Sequence, residues 1–424
     1  MVINQTQPEL HRGSERGVTR REALVRLLSG ASSLAACGGA LSSRYPMHSG
    51  AFGFDGTDEI KGGSRLTRDS VVTEDEAALS DEILSEVHFS LRALASRQHS
   101  DGSFGEDSEL FGGDPAISAL SGLAMLAWGS RPGDGGEFGV ALERTVDYLL
   151  SHQYQSGLET SGGLSLPEDS NWQGAEADGL IFSATERGRK PMYGHGYATL
   201  FLAESLGETS HSGHRKGLES ATELIVRVQN SEGGWRYEPK QATAADLSVT
   251  ACELSALRAS RNAGLYVPQG TIDSAVGYVS SLQNSDGGFR YMTLGGPSGY
   301  GRTSAAIYAL QSAGQETSEA VQKGFVYLEG ICSTQSQDTE RQDVKAIEYW
   351  GNANFYASLA YWRDSLTAEG ARRYRGYFSK FWRTARERRS ADGLWHSNVS
   401  TEAETSFVLC AALTSREGSA LFLR

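Results

Sequence analysis

A nine-residue phrase occurs twice in this chain, and it constrains the fold more than any other feature. Residues 229–237 read QNSEGGWRY and residues 283–291 read QNSDGGFRY, so seven of nine positions are identical. A shorter copy, QHSDGSF, covers residues 98–104, and residues 390–395 read SADGLW. An active-site motif is rarely needed more than once, whereas every unit of a repeat needs a structural joint. The phrase therefore predicts a joint in a repetitive fold.

Helical patterns flank the copies of this phrase. Before the copy at 283–291, apolar residues recur at Ile272, Ala275, Val276 and Val279, which is the spacing of one buried helix face. The glycine pair suits a left-handed helix end, and the aromatic residue after it can fold back over the last turn. The segments that follow are rich in Ala and Ser and carry little charge, as expected of helices buried on most sides. Each unit is therefore predicted to contain an amphipathic outer helix, a glycine-rich turn and a buried inner helix.

Six such helix pairs are predicted. The outer helices are expected near residues 82–97, 139–153, 215–229, 270–283, 318–330 and 370–388. The inner helices are expected near residues 115–128, 195–206, 246–260, 302–313, 352–365 and 404–414. Helix pairs at a period of about 50 residues fit an open solenoid or a closed ring. The absence of obvious polar end units favours the ring, so the expected fold is an all-α, α6/α6 toroid over residues 81–415, with a tail at 416–424.

The N-terminus has the features of a targeting signal. Arg20 and Arg21 precede a short apolar run, which resembles a twin-arginine export signal. The run ends in Leu-Ala-Ala-Cys37, which resembles the cleavage site of a bacterial lipoprotein. We therefore expect residues 1–36 to be an export signal, Cys37 to be lipidated, and residues 37–80 to be a flexible tether. The protein is then periplasmic or attached to the cell envelope. The alternatives are that the Arg pair before an apolar stretch is a coincidence, or that this segment is an amphipathic N-terminal helix.

Charge and cysteine usage exclude some classes of function. The formal net charge is −13, so the chain has no basic surplus to replace the counterions of nucleic acid. Besides Cys37 there are three cysteines, and an odd number, two of them in apolar helical runs, does not suggest a disulfide framework.

The phrases of the form Gln-x-x-Asp/Glu-Gly-Gly-Phe/Trp resemble the repeat shared by squalene cyclases and the β subunits of protein prenyltransferases, which are α/α toroids. The resemblance covers roughly residues 80–415. It implies chemistry on an isoprenoid, through either a protonating Asp or a zinc-bound thiolate.

Neither of these sites is complete here. The cyclase motif Asp-x-Asp-Asp-Thr-Ala is matched by Asp246 to Ala251, but Ser248 stands in the place of the acid, and a hydroxyl cannot protonate an alkene. The prenyltransferase zinc ligands are also not matched: Asp246 and Cys252 are six residues apart, about 120° around a helix, and the last inner helix contains no His. We therefore expect no metal and no cofactor.

Polar residues near the starts of the six inner helices form the candidate site. They are Asp114, His195, Asp246, Arg302, Asn352 and Glu404. If they occupy equivalent places on parallel helices, they ring one end of the toroid. The carboxylates could simply cap their helices, but His195 and Arg302 fit that explanation badly because cations are unfavourable at a helix N-terminus.

A long insert leads to His195. Residues 154–193 separate the second outer helix from its inner partner, and loops of this length are usually lids, binding loops or disordered segments. We expect this loop to cover a cavity rimmed by Tyr193, His195, Asp246 and Arg302, with Tyr300 beside Arg302. His195 would donate or carry a proton, and Asp246 would orient it. The alternative is that His195 and Asp246 only tie the loop to the helix starts.

Aromatic residues cluster around these positions. They are Trp235, Tyr237, Phe289, Tyr291, Tyr349, Trp350, Tyr356 and Trp395. Packing of the joints accounts for Trp235, Phe289 and Trp395. The predicted function is therefore an exported toroid that binds an apolar small molecule, isoprenoid or lipid, in its central cavity. The alternative is an active cyclase- or prenyltransferase-like enzyme with a non-standard site at His195 and Asp246.

Overall fold

A computed structural model describes residues 79–105, 114–157, 164–167, 172, 174–183, 190–209, 211–334 and 349–416. These residues contain twelve α-helices, which alternate along the chain between an outer and an inner ring. The outer helices are α1 (Asp81–Ala95), α3 (Gly139–Ser151), α5 (His214–Arg227), α7 (Gln269–Ser281), α9 (Glu319–Thr334) and α11 (Ala368–Arg388). The inner helices are α2 (Asp114–Trp128), α4 (Pro191–Glu204), α6 (Leu247–Asn262), α8 (Tyr300–Ser312), α10 (Trp350–Asp364) and α12 (Thr401–Leu413). The predicted export signal, Cys37 and nearly all of the tether and tail lie outside the described residues.

The two kinds of helix differ in burial as their sequences predict. Helix α1 starts at a Ser80 cap, whose hydroxyl accepts from the Ile83 N–H at 3.3 Å, and it buries one face through Val87, Leu91 and Leu94. Helix α4 is buried on every side, and its only positions that are not buried are Tyr193 and Glu204. No helix in the described part of the chain is long and apolar enough to cross a membrane.

The inner ring is closed. Each inner helix packs against the next, and α12 packs back against α2, where the Ser121 and Ser406 hydroxyls lie 3.1 Å apart. The outer elements close in the same way, because Arg386 of α11 forms ion pairs with Glu82 and Glu86 of α1 at 2.9 and 2.8 Å. The predicted all-α toroid is therefore confirmed, and an open solenoid is excluded.

The repeated phrase is the joint between helices. Its first glycine has a left-handed backbone in each copy, with φ of 96° at Gly102, 92° at Gly233, 85° at Gly287 and 87° at Gly393. A Cβ on Gly233 would lie 2.3 Å from a backbone oxygen of the next outer helix, so the close approach also requires glycine. The second glycine of the pair does not have a left-handed backbone. The left-handed conformation expected from the glycine pair is therefore found at its first residue alone.

Each joint is tied to the inner helix that follows it. The backbone N–H of the joint's aromatic residue donates to a hydroxyl on that helix. The pairs are Phe104 with Ser118 at 2.9 Å, Trp235 with Thr250 at 3.1 Å, Phe289 with Thr303 at 3.0 Å and Trp395 with Thr405 at 3.0 Å. These bonds fix the rotation of the four inner helices α2, α6, α8 and α12. The packing role predicted for Trp235, Phe289 and Trp395 agrees with their burial in the joints.

Candidate functional site

His195 belongs to a fifth joint, which the insert splits in two. Gln153 donates to the backbone oxygen of Gly179, a glycine with φ of 92°, just as Gln229 and Gln283 donate within their own joints. Residues 177–181 read ADGLI, so the joint resumes after the insert. Its Ile181 N–H donates to Nδ1 of His195 at 3.1 Å, where the other joints use Ser or Thr.

The His195 ring is buried and has both nitrogens occupied. Because Nδ1 accepts from Ile181, Nε2 carries the proton and donates to the Ala221 carbonyl of outer helix α5 at 3.1 Å. Burial lowers the pKa of His195 to about 4, so the ring is neutral at ordinary pH. Neither nitrogen is bonded to Asp246. The geometry gives His195 a role in holding the split joint between α4 and α5; a role in acting on a ligand stays a prediction.

Asp246 lies at the start of α6 and is completely buried. Its Oδ1 accepts from the Val249 N–H at 3.0 Å and from the Ser248 hydroxyl at 2.7 Å, so it caps the helix. Its Oδ2 has no hydrogen-bond partner among the described residues. Burial raises the pKa of Asp246, and the bonds from Val249 and Ser248 and the charge of Arg236 oppose that rise.

A chain of hydroxyl groups runs from Asp246 towards solvent. The Tyr193 hydroxyl lies 2.5 Å from the Ser248 hydroxyl. Because Ser248 donates to Asp246, Tyr193 must donate to Ser248. The Tyr291 side chain also interacts with the Asp246 carboxyl group, and this interaction opposes the rise in the pKa of Asp246. The Tyr291 hydroxyl lies 2.5 Å from the Tyr237 hydroxyl. All of these groups except Asp246 are partly exposed, at the end of the ring where the inner helices begin. We call this end the mouth.

Tyr237 and Tyr291 come from the repeated phrase itself. They are the last residues of QNSEGGWRY and QNSDGGFRY, so the phrase supplies both a joint and a side chain at the mouth. The cations of Lys190 and Arg236 lie over the Tyr237 ring, 5.1 and 5.2 Å from its centroid. The duplication of Arg-Tyr after the joint, which packing of the joint does not require, is the sequence signal for these residues.

The other predicted site residues do not join this cluster. Arg302 donates from Nη2 to the Pro297 carbonyl at 3.1 Å. Its charge opposes the burial-driven rise in the pKa of Tyr327 on outer helix α9. Tyr300 is partly buried against the core. The side chain of Asp114 lies outside the described residues, although its backbone begins α2.

Asn352 and Glu404 each bond to another inner helix, which lies opposite in the ring for Asn352 and is adjacent for Glu404. Asn352 donates from Nδ2 to the Tyr197 hydroxyl at 3.2 Å. Glu404 accepts from the Gly351 N–H at 3.0 Å and so caps the adjacent helix α10; burial raises the pKa of Glu404. The five of these polar residues whose side chains the structure describes thus lie at several levels and face several directions.

The register of the inner helices explains this scatter. Counted from the group that accepts the joint N–H, Asp246 is four residues earlier, Arg302 and Glu404 are one earlier, and His195 is that group itself. Tyr193 and Ser248 both stand two residues before it, and their hydroxyls touch. For this pair of adjacent helices, side chains at equal register from the joint acceptor meet at the mouth.

Side chains fill the axis below the mouth. Helices α4 and α10 are opposite each other in the ring, yet the Tyr197 and Tyr356 hydroxyls are 3.4 Å apart. The ring of Phe407 on α12 packs edge-on against Tyr197, with centroids 5.9 Å apart. These side chains are at most 3% exposed, so they close the centre of the barrel at this level.

Two cavities of about 240 and 480 Å³ are lined by residues other than those of the Asp246 cluster. The smaller is at the opposite end of the ring, where Glu204, Arg215 and Asn262 line it. The larger is at the seam between the first and last units, where Arg97 and Glu402 form an ion pair at 2.5 Å. Both have charged walls, which suits neither an isoprenoid nor a lipid tail. No group of three His, Cys, Asp or Glu side chains that could hold a metal ion occurs within the described ranges.

Proteins similar to this chain were found among solved structures. No family model matches this chain, and no curated protein matches it. A solved D-mannose isomerase matches with a TM-score of 0.52 at 13% identity, over 80% of this chain and 97% of that one. A protein from Actinoplanes matches with a TM-score of 0.46 at 15% identity, over 78% of this chain and 99% of that one. An inactive α-1,6-mannanase variant from Salegentibacter, in complex with α-1,6-mannotriose, matches with a TM-score of 0.48 at 10% identity, over 78% and 99%.

This chain therefore has the toroid fold that the D-mannose isomerase also has. The resemblance to squalene cyclases and prenyltransferases holds for that architecture and not for their family. The prediction that an apolar ligand, isoprenoid or lipid, binds in a central cavity is wrong. A solved toroid that this chain matches is a sugar isomerase, and Tyr197, Tyr356 and Phe407 fill the axis where such a ligand was expected.

Proposed function

We propose that this toroid binds a carbohydrate at its mouth and that Asp246 is the group that exchanges a proton with it. One observation carries the proposal. The Tyr193 hydroxyl bonds to the Ser248 hydroxyl, which bonds to the buried carboxyl group of Asp246, and Oδ2 of that group has no hydrogen-bond partner among the described residues. An unpaired buried oxygen is costly, so it is the natural place for a ligand hydroxyl to donate.

The surroundings of Asp246 suit a sugar. A sugar presents hydroxyl groups around its edge and C–H groups on its faces, so it needs hydrogen-bonding groups and flat apolar surfaces together. The Tyr193 and Tyr237 rings lie near each other, with centroids 6.0 Å apart, and both are partly exposed. Tyrosine supplies an apolar ring face and a polar tip in one side chain. The D-mannose isomerase with the same fold makes D-mannose the first sugar to test.

The electrostatics favour proton transfer by Asp246. Its raised pKa keeps the proton to a higher pH than an ordinary Asp does, which helps a group that must both hold and release a proton. The pKa of Tyr193 is raised well above its usual value, mainly by burial and then by the Asp246 charge, so Tyr193 stays a neutral donor. Isomerisation of an aldose to a ketose moves one proton from C2 to C1, which a single acid–base group such as Asp246 can carry. It also moves one proton from the C2 hydroxyl to the C1 oxygen, for which the Tyr193 and Ser248 hydroxyls supply a relay. Glycoside hydrolysis uses two carboxyl groups that flank one bond.

Titration calorimetry with D-mannose tests the proposal, followed by analysis of the mixture for ketose. Tyr193→Phe removes the outer hydroxyl and should weaken binding roughly fivefold, the effect of about 1 kcal/mol for one hydrogen bond. Ser248→Ala breaks the chain beside Asp246 and should weaken binding at least as much. Ser255→Ala is the matched control, because its hydroxyl bonds within α6 to the Ala251 carbonyl at 2.7 Å, away from the mouth.

A result against the proposal is equally clear. If D-mannose, other neutral hexoses and α-1,6-mannotriose all fail to bind the folded protein, the mouth is not a sugar site. The same holds if a sugar binds but Tyr193→Phe and Ser248→Ala bind it as tightly as Ser255→Ala does.

A further inference from the structure

The last outer helix is strongly basic in a chain that is strongly acidic. Helix α11 contains seven basic and two acidic residues over Ala368–Arg388, while the whole chain has a formal net charge of −13. Clustering of cations on one element of an acidic protein creates a local field opposite to that of the rest of the surface. Such a face would attract a partner that the remainder of the protein repels.

The acidic groups near α11 form ion pairs with arginines towards its two ends. Arg373 forms ion pairs with Asp364, Glu369 and Glu329. Arg386 pairs with carboxylates of α1 at the other end. Four cations between and beside these pairs have no hydrogen bond or ion pair with any described residue: Arg372, Arg375, Lys380 and Arg383. We call these four the basic stripe.

The basic stripe lies on one face. Arg372, Lys380 and Arg383 are exposed and Arg375 is partly so. At 100° per residue the four positions fall within an arc of about 140°, and at 1.5 Å per residue they extend over about 16 Å. The opposite face of the helix is buried through Tyr374, Tyr377 and Phe381. The stripe is therefore a straight, convex row of free cations on the outside of the ring.

We propose that the basic stripe docks the toroid onto a membrane surface that contains anionic lipids. A convex row of separated cations cannot surround one small anion, whereas lipid phosphates diffuse in the plane and can meet each cation in turn. Lys and Arg near an anionic leaflet each strengthen binding roughly fivefold. The lipidation expected at Cys37 would act with it, since one lipid chain gives only marginal anchoring and a polybasic patch is an effective second signal.

Co-sedimentation with lipid vesicles tests this docking in the full chain carrying Cys37→Ala, so that no attached lipid contributes. The protein should bind vesicles that contain phosphatidylglycerol and bind vesicles of phosphatidylcholine alone much more weakly. Raising the salt from about 0.1 M to about 1 M shortens the screening length from about 10 Å to about 3 Å and should release the protein. Changing all four stripe residues to Gln should weaken binding by about a hundredfold or more.

A matched variant removes the same charge elsewhere. Changing Arg144, Arg215, Lys216 and Arg261 to Gln alters four exposed cations on other parts of the surface and should change binding by less than about threefold. The stripe variants Arg372→Gln with Arg375→Gln, and Lys380→Gln with Arg383→Gln, give intermediate losses if the quadruple variant folds poorly.

Three outcomes would overturn the proposal. The protein could bind the two kinds of vesicle equally, the matched variant could lose as much binding as the stripe variant, or the stripe could retain duplex DNA or an anionic polysaccharide but not vesicles. The test does not depend on sugar binding at the mouth, so the two proposals can fail separately.

Discussion

Replacing His195 by Ala distinguishes a joint residue from a catalytic one. The ring is 0% exposed and connects the Ile181 N–H to the Ala221 carbonyl through bonds of 3.1 Å each. Ala can make neither bond, and the side chain that it replaces leaves a void between α4 and α5. A structural role therefore predicts a large loss of stability, whereas the proton-carrying role expected from sequence predicts a loss of activity at little cost in stability.

The size of the loss follows from the geometry. Two buried backbone groups left without partners cost about 1–2 kcal/mol each, and the void costs about 2 kcal/mol more. The total of about 4–6 kcal/mol is a large part of the free energy of unfolding of a typical domain. Thr303→Val is the matched control, because Thr303 accepts the Phe289 N–H at 3.0 Å in the corresponding joint and Val keeps most of its volume. That change should cost only about 1–3 kcal/mol.

The pH dependence gives a second measurement on the same residue. The pKa of His195 is lowered from 6.5 to about 4, so at acid pH the unfolded chain takes up a proton that the folded protein refuses. The stability due to the neutral ring is therefore fully present above about pH 6.5 and is lost as the pH falls towards about 4. His195→Gln cannot titrate, so its stability deficit relative to the wild type should shrink by about 2 kcal/mol between pH 7 and pH 5.

Urea unfolding, followed by circular dichroism at both pH values, supplies these free energies. The reasoning is refuted if His195→Ala unfolds at the same urea concentration as the wild type while losing ligand binding. It also fails if the deficit of His195→Gln is the same at both pH values.

Two further predictions concern the joints and the targeting signal. Gly287→Ala forces a side chain into a backbone with φ of 85° and puts its Cβ 2.6 Å from the Lys323 backbone oxygen. It should therefore lower the free energy of unfolding in urea by at least about 1–2 kcal/mol. The control Gly277→Ala has open space around it in α7 and should be neutral or stabilising by up to about 1 kcal/mol. Equal effects of the two changes would argue against the joint. Changing Arg20 and Arg21 to Lys should block export measured by cell fractionation, and Cys37→Ala should release exported protein from the membrane fraction; an unprocessed cytoplasmic wild type would end the export hypothesis.

The sequence predicts the architecture well because the joint requires an unusual combination of residues, in which Gln, Asp or Glu, Gly and an aromatic residue follow one another at fixed spacing. Most predicted helix limits lie within a few residues of the observed ones, since the apolar period and the left-handed glycine both leave direct marks in the sequence. The start of α4 is the largest shift at an N-terminus, at Pro191 instead of residue 195. The cause is the split joint, in which Gln153 is separated from Gly179 by the insert, so the phrase cannot be read as one unit.

The same split explains why His195 attracted attention as a site residue and Ser248 did not. A His near a helix start is unusual for a cap, and without the second half of the joint nothing in the sequence says that its Nδ1 replaces a Ser or Thr hydroxyl. Once Ile181 is recognised as the counterpart of Trp235, His195 and Thr250 become equivalent, and so do the residues two positions before each of them. Those residues are Tyr193 and Ser248, whose hydroxyls meet 2.5 Å apart at the mouth. The joint therefore fixes the rotation of the inner helix that follows it, and at α4 and α6 that rotation selects which side chains a ligand at the mouth can reach.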